Sequence, residues 1–102
     1  MSTEYLKRNI FIRDHRTTIS LEGSIWSALE EICHRESMGL NQICTLIDDE
    51  LHKDASRTAA IRTFIVNYFR TIANDSKNLR NDSLKPIGRN IKMLVKRSLG
   101  PN

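Results

Sequence analysis

The sequence predicts a mainly α-helical chain with one short β-strand, on three observations. Residues Arg16-Thr17-Thr18-Ile19-Ser20-Leu21 alternate polar and apolar side chains strictly, the period of a half-buried strand. Two later stretches, Ile25 to Cys33 and Ile43 to Leu51, repeat apolar residues at spacings of three and four, which lines them along one helix face. A third series, Ile61 to Ile72, is rich in Ile, Val, Tyr and Phe, but its length and helical spacing favour a helix over a strand.

In the strand, Thr17, Ile19 and Leu21 form one surface and Arg16, Thr18 and Ser20 the other, because successive side chains point to opposite faces. One surface can be buried, and the other offers a guanidinium and two hydroxyls. A lone strand leaves its backbone N–H and C=O groups unsatisfied. With no second strand of equal quality in sight, the expected partner is the same strand of a second copy, held together by Ile19 and Leu21. Asn9-Ile10-Phe11-Ile12-Arg13 is a weaker extended candidate. It cannot run straight on into Arg16, because Ile10 and Ile12 would then share the polar face. A bend at Asp14-His15 removes the conflict, leaving either a hairpin or a simple arm after the polar residues Met1 to Arg8.

Past the strand, Glu22 or Ser24 is placed to cap a first helix whose stripe is Ile25, Ala28, Leu29, Ile32 and Cys33, with Trp26 at its edge. Gly39 supplies the permissive backbone favoured after a helix ending near Ser37. Asn41 is expected to cap a second helix reaching about Lys53, with Ile43, Leu46, Ile47 and Leu51 inward and Asp48, Asp49 and Glu50 on an exposed acidic face. The third helix is expected from about Asp54–Ser56 to Ala73. Asn74 to Lys85 reads as a polar linker, and Pro86 to Leu99 as a small basic amphipathic helix with Ile87, Ile91, Leu94 and Val95 opposite Arg89, Lys92 and Lys96. The chain thus divides into an arm or extra strand (1–13), a central domain (14–73) and a linker with a basic C-terminal tail (74–102).

At 102 residues the chain is one small domain, for which association would add stability. Its net charge of +4 is uneven: residues 1–20 sum to +2, 21–60 to −5 and 61–102 to +7, so a polyanion would be met by the ends. No apolar run is long enough to span a bilayer and no signal-peptide pattern opens the chain, which points to the cytoplasm without stable membrane insertion. Cys33 and Cys44 lie in apolar helical patterns and read as buried thiols. Neighbouring Cys33 and His34 diverge by roughly 100° on a helix, so with Cys44 and His52 they make no metal site. There is no Gly-rich phosphate loop and no placeable nucleophile and base, so neither an enzyme nor a cofactor is expected.

The run His15-Arg16-Thr17-Thr18-Ile19-Ser20-Leu21-Glu22, followed by Trp26 and Leu29 and then Gly39-Leu40-Asn41, resembles the ribbon-helix-helix family of DNA-binding proteins. It looks like the subgroup of stand-alone domains with a His-Arg-Thr-Ser/Thr strand and an early aromatic in the first helix. The likeness covers roughly residues 13–53 and continues into the third helix. It implies an intertwined homodimer in which two strands pair antiparallel into an intermolecular two-stranded ribbon. Ile19, Leu21, Ile25, Leu29, Ile32, Ile43 and Ile47 would then form the dimer core. It also implies that the ribbon enters the major groove of double-stranded DNA, with Arg16 and Thr18 facing bases and Ser20, Asn41 and Gln42 contacting phosphates. The function expected on this basis is sequence-specific transcription regulation. From a different class, the alternative is an interaction adaptor or antitoxin-like component whose residues 74–102 bind a partner protein through the basic amphipathic segment.

Overall fold

The computed structural model describes residues 4–78 and 91–99, the side chains of 75–78 excepted. The elements are β1 (Tyr5–Ile12), β2 (His15–Glu22), α1 (Gly23–Glu36), α2 (Leu40–Asp49), α3 (Arg57–Asn78) and α4 (Ile91–Leu99).

β1 and β2 form an antiparallel hairpin whose closing pair, Ile12 and His15, leaves two residues for the turn. Both turn residues have positive φ, 48° at Arg13 and 70° at Asp14. This is the signature of the primed turns, whose twist suits a two-residue hairpin. Every cross-strand pair joins an even-numbered residue to an odd-numbered one: Ile10 faces Thr17, and Arg8 faces Ile19. The parity conflict is resolved in this way, since Ile10, Ile12, Ile19 and Leu21 all fall on one face and are buried.

The expected single strand is therefore two, and the bend lies one residue earlier than expected, at Arg13-Asp14. β2 pairs along one edge with β1 of the same chain, which a two-residue loop brings alongside at almost no closure cost.

The helices cover the buried face of the hairpin. Leu21, Leu29, Ile32, Ile43, Ile47, Ile61, Phe64 and Tyr68 are fully enclosed within the one chain. Side chains of this kind contribute about 1.5–3 kcal/mol each relative to exposure. Of the residues expected in a dimer core, Ile19, Leu21, Leu29, Ile32, Ile43 and Ile47 are thus buried by their own chain, while Ile25 is only half-buried. Trp26 is not at the edge of the α1 stripe but inside the core, 1% exposed. β1 lies over it: the indole N–H donates to the Leu6 carbonyl at 2.7 Å, and the Arg8 guanidinium sits 4.8 Å from the ring centre.

Between α1 and α2 the left-handed residue is Ser37, φ 54°, and not Gly39. The N–H groups of Ser37 and Met38 close the end of α1 on the carbonyls of His34 and Cys33. Gly39, in extended backbone, is the N-cap of α2, so Asn41 stands in its first turn and does not cap it. α2 stops at Asp49, short of Lys53, where its acids are neutralised. Asp48 accepts from Arg57 at 2.7 Å and pairs with Arg13 at 3.2 Å, and Asp49 accepts from Arg13 Nε at 2.7 Å. The acidic face expected in solvent is thereby the anchor for the hairpin turn and the start of α3.

α3 continues to Asn78, five residues beyond the expected end, so residues 74–78 are helix and not linker. The rest of the expected linker, with Pro86, Ile87 and Arg89, lies outside the described residues. α4 is a docked element and not a tail: Ile91, Leu94 and Val95 join the main core, and Asn67 on α3 donates to Ser98 at 2.8 Å. That one core takes residues from all three segments into which the sequence divides the chain.

Candidate nucleic-acid interface

The other face of the hairpin carries Lys7, Asn9 and Phe11 from β1 and Arg16, Thr18 and Ser20 from β2. The pairs across it are Lys7 with Ser20, Asn9 with Thr18 and Phe11 with Arg16. All are exposed except Ser20, which is half-buried. Arg16 and Thr18 stand together in the open as expected. The sequence reading missed Lys7, Asn9 and Phe11, although the signal was there: once Ile10 and Ile12 turn inward, the odd-numbered residues around them must turn out.

Two hydrogen bonds organise this face. Thr18 Oγ1 donates to Asn9 Oδ1 at 2.8 Å, linking the strands through side chains. The Phe11 N–H donates to Asn41 Oδ1 at 3.0 Å, so it points away from β2. By the alternation of an antiparallel ladder, Phe11–Arg16 and Asn9–Thr18 are then the pairs without mutual backbone bonds, in which side chains approach most closely. The Asn41 bond also ties the start of α2 to the outer edge of β1.

In that first turn, Gln42 Oε1 accepts the Gly39 N–H at 2.8 Å. The side chains of Asn41 and Gln42 are thus committed to local structure. What the turn still offers a ligand is its backbone N–H groups, which have no intrahelical partner and sit at the positive end of the helix dipole. An open groove of about 450 Å³ separates this turn from the hairpin tip, with Phe11, Arg13, Met38 and Leu46 in its walls.

The arginines of the hairpin differ sharply in their commitments. Arg8 is paired with Glu30, and Arg13 with Asp48 and Asp49. The hydrogen bond to Asp49 raises the Arg13 pKa further. At the other end of β2, Arg62 holds the Glu22 carboxyl below its usual range and fastens the strand to α3. The Arg16 guanidinium has no carboxylate partner among the described residues. Elsewhere, burial pushes the Cys44 thiol up to about 12, the behaviour of a core group and not of a reactive one. Among the described residues no three His, Cys, Asp or Glu side chains gather into a metal site, and no helix is long and apolar enough to cross a membrane.

A family model described as a ribbon-helix-helix domain matches residues 5–69, from the start of β1 well into α3. The chain belongs to the ribbon-helix-helix family. Its members are generally DNA-binding transcription regulators, typically dimeric on DNA and typically without enzymatic activity. No curated protein and no solved structure matches the chain significantly.

Proposed function

We propose that this protein is a sequence-specific DNA-binding regulator of transcription that inserts its β1–β2 ribbon into the major groove. The observation that carries this reading is Arg16, an exposed guanidinium with no carboxylate partner among the described residues, on the outer face of a two-stranded ribbon whose other arginines are neutralised. Strands about 4.8 Å apart make a ribbon narrow enough for a major groove about 12 Å wide. A guanidinium can bond guanine O6 and N7 together, worth ~1–3 kcal/mol of discrimination. Thr18 lies beside it with a methyl group for a thymine methyl and a hydroxyl oxygen for a base donor. Ser20 and the free N–H groups of Asn41 and Gln42 take the phosphates that flank the groove. The acting species in this reading is a cytoplasmic homodimer on a palindromic site, each copy presenting its own hairpin.

The test is binding of the full chain to genomic DNA fragments across a salt series. Retention of particular fragments, lost in Arg16→Ala with the fold intact, is the expected outcome; no retention even at low salt defeats the reading. The adaptor reading has less behind it, because the apolar side of α4 that a partner protein would take is already buried on its own chain.

A further inference from the structure

We infer that Asn9, on β1, is a base-reading residue in its own right, that it selects adenine, and that Thr18 positions it; this rests on the DNA-binding reading above. A hairpin formed within one chain gives the ribbon two unlike strands. The second contributes Arg16, Thr18 and Ser20, and the first contributes Lys7, Asn9 and Phe11 on the same face. Asn9 is exposed at the middle of this face, directly across from Thr18.

The chemistry of the pair is defined by the bond between them. Thr18 Oγ1 gives its only proton to Asn9 Oδ1, so it cannot donate to a base while that bond stands. The same bond fixes the Asn9 amide. Its Oδ1 retains a second lone pair and its Nδ2 two donors. An acceptor and a donor side by side match adenine, which offers N6–H and N7 in the major groove. Guanine presents two acceptors there and would leave Oδ1 facing an oxygen. Arg16 is the converse, donors only, and matches guanine. One ribbon then carries two reading groups of different base preference, Arg16 on β2 and Asn9 on β1. Phe11, cross-strand from Arg16 and 51% exposed, adds an apolar surface next to them.

The experiment selects from a randomised duplex library with the full chain, Asn9→Ala, Thr18→Val, Thr18→Ser and Arg16→Ala, each shown by circular dichroism to be folded. All three positions are exposed, so the variants spare the core. The wild-type motif should contain an adenine whose preference falls about tenfold or more in Asn9→Ala while the guanine assigned to Arg16 is kept. Thr18→Val should blur that adenine, and Thr18→Ser, which restores a hydroxyl, should recover it. An unchanged motif in Asn9→Ala, or uniform weakening with every preference kept, overturns the inference and leaves DNA binding standing. A wild-type protein that enriches no motif overturns both.

Discussion

The two faces of the β1–β2 hairpin share one backbone and differ in almost everything else. Inward are Ile10, Ile12, Ile19 and Leu21, each 3% exposed or less, sealed by α1, α2 and α3. Outward are Lys7, Asn9, Phe11, Arg16 and Thr18, open to solvent, with Ser20 half-buried beside them and the Thr18–Asn9 side-chain bond linking the strands. Stability and the proposed recognition of DNA are thus assigned to opposite faces by residue parity alone. The same strand whose Leu21 anchors the core presents, on the opposite face, the Arg16 that has no carboxylate partner among the described residues. A substitution one position along moves from one role to the other, and each role should fail by its own measure.

The largest effect belongs to the inner face. Leu21→Ala should lower unfolding free energy by about 2–5 kcal/mol in a denaturant titration. At temperatures where the variant is folded, its preferred DNA sequence should be unchanged; an altered preference would show that the faces are not independent.

Alkaline pH probes the same core by another route. The Cys44 thiol, raised by burial to about 12, is uncharged in the fold but ionises near 9 once unfolded. Its contribution is therefore complete below about pH 9 and is lost as pH rises toward 12, at about 1.4 kcal/mol per unit between the two values. Burial and the bond to Glu36 raise the Tyr68 hydroxyl as well, so it acts in the same direction. Denaturation midpoints measured at several alkaline pH values should fall in wild type and fall less in Cys44→Ala.

Smaller still is the effect expected at the tip that joins the faces. Asp14, at φ 70°, holds a conformation costing residues other than glycine roughly 1–2 kcal/mol. Asp14→Gly should relieve part of that and raise stability by about 1 kcal/mol, without moving the DNA motif.

How much of this was legible in the sequence depended on the type of signal. Helical periodicity located α1, α2 and most of α3, and strict alternation located β2 and both of its faces. The hairpin was half-legible: parity required a bend before His15, but Arg13-Asp14 lacks the Gly or Asn that usually marks a two-residue turn. The turn is held from a distance, by Arg13 on Asp48 and Asp49, residues 35 and 36 positions further along the chain. No local pattern reports such a contact. The same applies to Trp26, whose burial depends on β1 lying across it, and to α4, whose apolar side is covered by elements far away in sequence. Arg16 and Thr18 were legible because exposure on a strand follows from alternation; Asn9 was not, because its face depends on the register with β2.

The outer face of one chain's hairpin is the surface proposed to meet the DNA. Titrating ¹⁵N-labelled protein with a duplex carrying its selected motif, and following amide shifts residue by residue, tests it most directly. The largest shifts are expected at Asn9, Phe11, Arg16, Thr18 and Ser20 and at the start of α2 around Asn41 and Gln42, with little change along α4. Shifts concentrated on Lys92, Lys96 and Arg97, with the hairpin unmoved, would contradict it.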